Sequence, residues 1–178
     1  MMSICIWLSG LSGAGKTTLA NLLSKKFNSK GFKTCVLDGD ILRNGLNKDL
    51  CFTDKDRHEN NRRVSEIAKL LVDQDILVFV ALISPFESDR VLAKNLFNRN
   101  CFVEVFLDAP IDVCISRDVK GLYAQQKLGL VENMTGITSV YEPPSNPDIY
   151  LRTDRMNEPK CIEVISTYLE KLLLLQFN

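Results

Sequence analysis

Eight residues near the start of the chain, Gly10-Leu11-Ser12-Gly13-Ala14-Gly15-Lys16-Thr17, match the pattern G-x-x-x-x-G-K-S/T. An apolar run, Ile4–Leu8, precedes them, and Leu19, Leu22, Leu23 and Phe27 follow at the spacing of one helix face. A glycine-rich turn from a buried strand into a helix curls successive backbone N–H groups around an anion, and the helix N-terminus adds partial positive charge. Lys16 then reaches the β- and γ-phosphates of a nucleotide, and Thr17 offers a hydroxyl to Mg2+. Residues 10–17, with Thr18 beside them, are the candidate ATP-binding set.

The rest of the chain fits that opening. Short, nearly continuous apolar runs at Ile4–Leu8, Lys33–Leu37, Ile76–Ile83 and Phe102–Leu107 read as strands buried on both faces. Between them, Val64, Ile67, Ala68 and Leu71 mark a helix face. Asn157 as cap and Pro159 in the first turn open a last helix striped by Ile162, Ile165, Leu169 and Leu172. Strands alternating with helices predict an α/β fold, a parallel sheet covered by helices on both faces, of the P-loop NTPase, nucleoside-monophosphate-kinase-like kind. At 178 residues with 46% hydrophobic side chains, the chain reads as a single domain over 1–178. The stretch from Val119 to Pro147 breaks the alternation with three prolines, Gly129 and Gly136, and predicts a lid, about 119–147, containing a short helix.

Lysine plus arginine balances aspartate plus glutamate at 22 each, so no global field draws the chain to nucleic acid or to an anionic membrane. The expected partner is a small nucleotide. Met1–Leu8 is too short for a signal-peptide core, and no apolar stretch reaches the ~18 residues that span a bilayer, which predicts a cytoplasmic protein. The cysteines, Cys5, Cys35, Cys51, Cys101, Cys114 and Cys161, include no C-x-x-C pair and read as reduced thiols in or near the core.

Asp38-Gly39-Asp40 ends the second apolar run at the carboxyl edge of the sheet, where open α/β folds bind their ligands. One carboxylate there can hold Mg2+ through water and one can accept the proton of an attacking hydroxyl; a turn followed by a helix cap explains the triplet equally well. Thr53-Asp54-Lys55-Asp56 has the form of a capping box. Counting back by three, four and seven from Val64 puts Asn61, Asn60 and Arg57 on the inward stripe, where unpartnered polar groups cost on the order of several kcal/mol. An anionic ligand is a natural partner, and Arg43, three residues past Asp40, adds a second fork. Ser84-Pro85 closes the third run at the same edge, so Ser84 either faces the cleft or ends the strand. His58 lies off the stripe and reads as surface.

Taken together, Gly10–Thr17, Asp38-Gly39-Asp40 with Arg43, the run from Asp56 to Arg63, Ile83-Ser84-Pro85, the run from Arg117 to Tyr123, and Thr135-Gly136-Ile137 with Tyr141-Glu142-Pro143-Pro144 closely resemble the adenylyl-sulfate (APS) kinase family. The resemblance covers nearly the whole chain. Lys120-Gly121-Leu122-Tyr123 and Tyr141-Glu142-Pro143 separate that family from adenylate, shikimate and gluconate kinases. The resemblance implies Mg2+-dependent transfer of the γ-phosphoryl of ATP to the ribose 3′-hydroxyl of adenylyl sulfate, giving 3′-phosphoadenylyl sulfate. It implies catalytic roles for Asp38, Lys16, Ser84 and Lys120, with Ser84 at the family's proposed phosphoserine position, and Thr17 and Asp38 at the metal. Around the acceptor it implies Asp40, Arg43, Phe52, Arg57, Asn60, Asn61, Ile83, Ser84, Lys120 and Met134, with Phe52 as one wall of a base sandwich. In-line transfer needs positioning and charge neutralisation more than a covalent enzyme step, so Lys16, Mg2+ and Lys120 suffice without a phosphorylated Ser84. Homodimers are common in the family, which makes a homodimer an expectation here.

The chain also departs from the family pattern. Met134 stands where Phe is usual, Asn61 where Ile is usual and Cys51 where Gly is usual, and Thr138 and Val140 replace the more frequent Asp and Pro. These changes gather around the base while the catalytic elements are intact. Two alternatives therefore stand beside the main expectation: a relative with a changed nucleotide acceptor, such as a cytidine diphosphoramidate kinase in capsule modification, and a catalytically silent nucleotide-binding regulator.

Overall fold

In the computed structural model, which describes residues 3–119, 121–130 and 133–175, strand β1 (Cys5–Ser9) is the central one of five. With β2 (Thr34–Asp38), β3 (Leu77–Ala81), β4 (Phe102–Asp108) and β5 (Ile149–Arg152) it forms an all-parallel sheet in the order β2-β3-β1-β4-β5. Successive side chains of a strand point to opposite faces, and β1 shows it directly. Ile4, Ile6 and Leu8 enter one apolar layer with Leu19, Leu23 and Phe27 of α1 (Lys16–Asn28) and with Ile165 and Leu169 of α7 (Glu158–Leu175). Cys5 and Trp7 enter the other, with Val64 and Ala68 of α3 (Asp54–Val72) and Ala93 of α4 (Glu87–Asn95). Both faces are covered, as predicted. Shorter helices α2 (Gly39–Arg43), α5 (Ile111–Arg117) and α6 (Leu122–Lys127) complete the set; α6 is the short helix expected in the 119–147 segment.

The sequence pattern predicts four strands, and the fifth escapes it. β5 is four residues long at the sheet edge, and an exposed Tyr150 and a half-buried Arg152 interrupt its apolar run. β3 also ends sooner than its apolar run. Leu82 N–H still donates to Leu8 O at 3.2 Å, but Ile83 O turns to accept from Gly10 N–H at 3.4 Å, and Ser84 takes a left-handed φ of 46°. The helix caps are where the sequence puts them: Thr53 Oγ1 accepts from Asp56 N–H at 3.2 Å, and Asn157 Oδ1 from Lys160 N–H at 3.1 Å.

All six thiols are free. Cys5, Cys101, Cys114 and Cys161 are buried and Cys35 is half-buried, but Cys51 is exposed in the α2–α3 connection rather than in or near the core. Among the described residues no helix is long and apolar enough to cross a membrane.

The chain goes from β1 to β2 past the position of β3, then from β3 to β4 past β1. Strand order thus reverses beside β1, and the crevice for ligands in such sheets lies at the carboxyl ends of the strands there.

Candidate active site

Gly10 leaves β1 where a Cβ would lie 2.4 Å from Leu107 O of β4, so the turn into the loop needs glycine. Ala14 N–H closes the loop on Leu11 O at 3.1 Å. Lys16, the first residue of α1, folds back so that Nζ donates to Gly10 O and Leu11 O at 2.8 and 2.7 Å. The ammonium is thereby held over the loop. Thr18, one residue beyond Thr17, is exposed on the same helix.

Asp38 caps α2, as one reading of its triplet expects, and also meets the phosphate loop. Its Oδ2 accepts from Thr17 Oγ1 at 2.6 Å, and its Oδ1 accepts from Asp40 N–H at 2.9 Å, capping α2. A hydroxyl and a carboxylate converging at this distance make a hard-oxygen pair of the kind Mg2+ takes alongside phosphate and water. Asp40 is exposed in the first turn of α2, and the five residues of that helix lead to Arg43.

Arg57, Asn60 and Asn61 are buried on the inward face of α3. Arg57 Nε donates to Phe52 O at 3.0 Å and its Nη2 to Asn133 O, so one guanidinium holds the backbone of Phe52 and of the residue before Met134. Arg43 Nη1 donates to Leu50 O and Cys51 O at 3.1 and 2.9 Å. Its Cζ lies 4.4 Å from the centre of the Phe52 ring, and that of Arg57 5.8 Å. Phe52 is 51% exposed beside them, and among the described residues neither guanidinium forms an ion pair. Burial lowers both guanidinium pKa values, and the positive charge of Arg43 lowers that of Arg57 further. Asn60 Oδ1 accepts from buried Asn47 Nδ2 at 3.0 Å, and Met134 is buried against the α1-side core.

Ser84 and Asn61 turn to each other. The Ser84 hydroxyl accepts from Trp7 Nε1 at 2.9 Å and donates to Asn61 Oδ1 at 2.9 Å, while Asn61 Nδ2 donates to Asp89 Oδ2 at 3.1 Å. His58, half-exposed as a surface residue should be, ends this line: Nδ1 lies 2.6 Å from Asp89 Oδ1 and the imidazole stacks on Phe86. Ile83 is half-buried at the exit of β3.

The structure therefore gathers Lys16, Thr17 and Asp38 at one end of α2, and Arg43, Phe52 and Arg57 at the other. Lys120 lies outside the described residues. Arg90 was not among the expected site residues, yet it is 2% exposed and pairs Nε with Glu104 Oε1 at 3.0 Å. It also donates to Ser84 O at 2.7 Å and to Glu142 O at 2.8 Å, tying the β3 exit to the end of the 119–147 segment. Its signal was available: Arg90 falls three residues before Ala93 on the inward side of α4.

The loop supplies a cradle, an ammonium and a hydroxyl, and its carboxylate comes from another strand. A pair of cations stands apart from it at the far end of α2, an arrangement of the kind a P-loop kinase has. The family model described as adenylylsulphate kinase matches residues 2–152, and the chain belongs to the adenylyl-sulfate kinase family. An adenylyl-sulfate kinase of Prochlorococcus marinus is 46% identical over 174 residues, 98% of this chain and 87% of that one. The bifunctional enzyme CysN/CysC of Xylella fastidiosa is 51% identical over 150 residues, 84% of this chain but 24% of that longer protein. The APS kinase CysC of Mycobacterium tuberculosis, solved in complex with AMPPNP and APS, is 43% identical with a TM-score of 0.89, covering 95% of this chain and 98% of that one.

Proposed function

We propose that this protein transfers the γ-phosphoryl group of ATP to the ribose 3′-hydroxyl of adenylyl sulfate, giving 3′-phosphoadenylyl sulfate and ADP. One observation carries the acceptor assignment: Arg43 and Arg57, neither within ion-pair distance of a carboxylate among the described residues, both lie against the half-exposed ring of Phe52. Two cations beside an aromatic face suit a base joined to an anionic group. The solved relative bound to AMPPNP and APS supports both substrates.

Lys16, held at the loop, offsets charge on the β- and γ-phosphates. The 3′-oxygen forms the new bond to phosphorus, the bond from the γ-phosphorus to the β–γ bridging oxygen breaks, and ADP leaves with that electron pair. The acceptor's proton passes to the Asp38 carboxylate and on to water. Thr17 and Asp38 would hold Mg2+, which when bound neutralises phosphate charge. Lys120, at the root of the lid proposed for 119–147, adds positive charge in the same reading.

Asn61 bears on which base is taken. Its amide is spent on Ser84, on Asp89 and on Arg57 O at 3.1 Å, inside the protein, so its presence in place of Ile does not by itself re-tool the base pocket. The test is to supply Mg·ATP with adenylyl sulfate or with cytidine diphosphoramidate, follow ADP release and weigh the product. Turnover of adenylyl sulfate with a gain of one phosphoryl group is expected. Preference for the cytidine compound would overturn the acceptor, and ADP binding without turnover of either would return the silent regulator. A homodimer and a cytoplasmic setting belong to the same proposal; sedimentation tests the first, and six free thiols support the second.

A further inference from the structure

Consecutive carbonyl oxygens of the phosphate loop are each held by a side chain. Gly10 O and Leu11 O accept from Lys16 Nζ. Ser12 O accepts from Tyr123 Oη at 2.9 Å, Gly13 O from Arg117 Nη1 at 3.1 Å, and Ala14 O from Thr153 Oγ1 at 3.0 Å. The last three donors come from separate places: Arg117 ends α5, Tyr123 lies in α6 and Thr153 follows β5. They are also joined to one another. Arg117 Nη2 donates to Thr153 O at 2.6 Å, and Asp118 accepts from the N–H groups of Tyr123 and Ala124 at 3.0 Å each, fixing α6 just past Arg117.

The consequence follows from peptide geometry. In a trans peptide the carbonyl and the next N–H point to opposite sides, and the described chain has no cis bond. Donors behind Ser12 O and Ala14 O thus turn the N–H groups of Gly13 and Gly15 the other way, toward an anion in the loop. The intervening N–H, that of Ala14, is spent on Leu11 O.

We infer that Tyr123 and Thr153 are positioning residues for the donor nucleotide, acting through the Ser12 and Ala14 carbonyls to aim the loop's amides at its phosphates, with Arg117 supporting them through its bond to Thr153 O. The inference rests on residues 10–17 being the ATP phosphate site. It extends the working parts of that site to the root of the 119–147 segment, since Tyr123 and Arg117 bracket residues 118–122. A buried phenol that bonds a carbonyl merely because burial demands a partner would change stability and leave nucleotide affinity alone.

Calorimetric titration of ADP into wild type, Tyr123→Phe, Thr153→Val and Thr153→Ser tests this, with adenylyl sulfate titrated in parallel. Loss of one hydrogen bond is expected to weaken ADP binding about three- to tenfold in Tyr123→Phe and Thr153→Val. Thr153→Ser, which keeps the hydroxyl, restores it, and adenylyl sulfate affinity stays constant throughout. Wild-type ADP affinity in both hydroxyl-deleted variants, or equal weakening for adenylyl sulfate, would overturn the inference alone. Wild-type protein that binds no ADP would overturn the donor site with it. Should Tyr123→Phe not fold, the Thr153 pair decides by the same criterion.

Discussion

The Ser84 hydroxyl donates to Asn61 Oδ1 at 2.9 Å, and both side chains are buried. The same oxygen accepts from Trp7 Nε1, so it is committed on two sides at 2% exposure. A phosphoryl acceptor has to present an oxygen lone pair to the donor phosphorus, and this one sits between an indole and an amide. Ser84→Ala is expected to keep measurable turnover of adenylyl sulfate. It should lose about 1–3 kcal/mol of stability, because Trp7 Nε1 and Asn61 Oδ1 lose their partner. Denaturant titration and ADP release check the two halves. Complete loss of turnover in a variant with native circular dichroism would return Ser84 to the reaction.

Asn61→Ile restores the residue more usual in the family and isolates the amide's role. Ser84 Oγ–H and Asp89 Oδ2 would lose their bonds to Asn61, which predicts a loss of about 1–3 kcal/mol. The ratio of turnover on adenylyl sulfate to turnover on cytidine diphosphoramidate is expected to stay as in wild type. A shift in that ratio greater than about tenfold, worth about 1.4 kcal/mol, would show that Asn61 reads the acceptor.

The loop, the two-faced sheet and the burial of Arg57, Asn60 and Asn61 were legible in the sequence because each rests on local spacing. A strand period of two or a helix period of 3.6 states which face a side chain occupies. It does not state what folds over that face. Spacing turns Arg57 inward to await an anion, yet the guanidinium also bonds Asn133 O, 76 positions along the chain. Asn61 was assigned to the acceptor, yet its amide meets Asp89, 28 positions on. The Asp38 triplet allows two readings because a carboxylate has two oxygens: one caps α2, and the other, bonded to Thr17, stays compatible with the proposed role at the metal. β5 was missed because a four-residue edge strand is recognised by its pairing with β4 rather than by its own pattern.

Acid stability has one identifiable contributor on the outer side of α3. Glu59 accepts from Arg62 Nε at 2.7 Å and from Arg63 Nε at 2.9 Å. These bonds, that to Arg62 first, hold its carboxyl down to about 2 from an ordinary 4.5. A folded-state pKa below the unfolded one means that the contribution is present above about pH 4.5 and is lost as the pH falls toward 2. The melting-temperature gap between wild type and Glu59→Gln is therefore expected at pH 6, to close through that window, and to narrow with added salt. A gap that held constant down to the lower end would assign the effect to packing instead of charge.

Asp38→Asn separates the cap that Asp38 makes from the part proposed for it at the metal and the proton. Asn caps a helix about as well as Asp, and its amide oxygen can still accept from Asp40 N–H, so the melting temperature should barely move. Affinity for metal-free ADP is expected to hold, since Lys16 and the loop are untouched. The amide carries no negative charge for a metal and no basicity for a proton, so kcat should fall by about 10²–10⁴ with little change in the KM for adenylyl sulfate. Steady-state kinetics with both substrates varied, beside a thermal melt, checks each expectation. Near-wild-type kcat would mean that another group takes the proton, and Asp40, exposed two residues along the same sheet edge, is the carboxylate to change next.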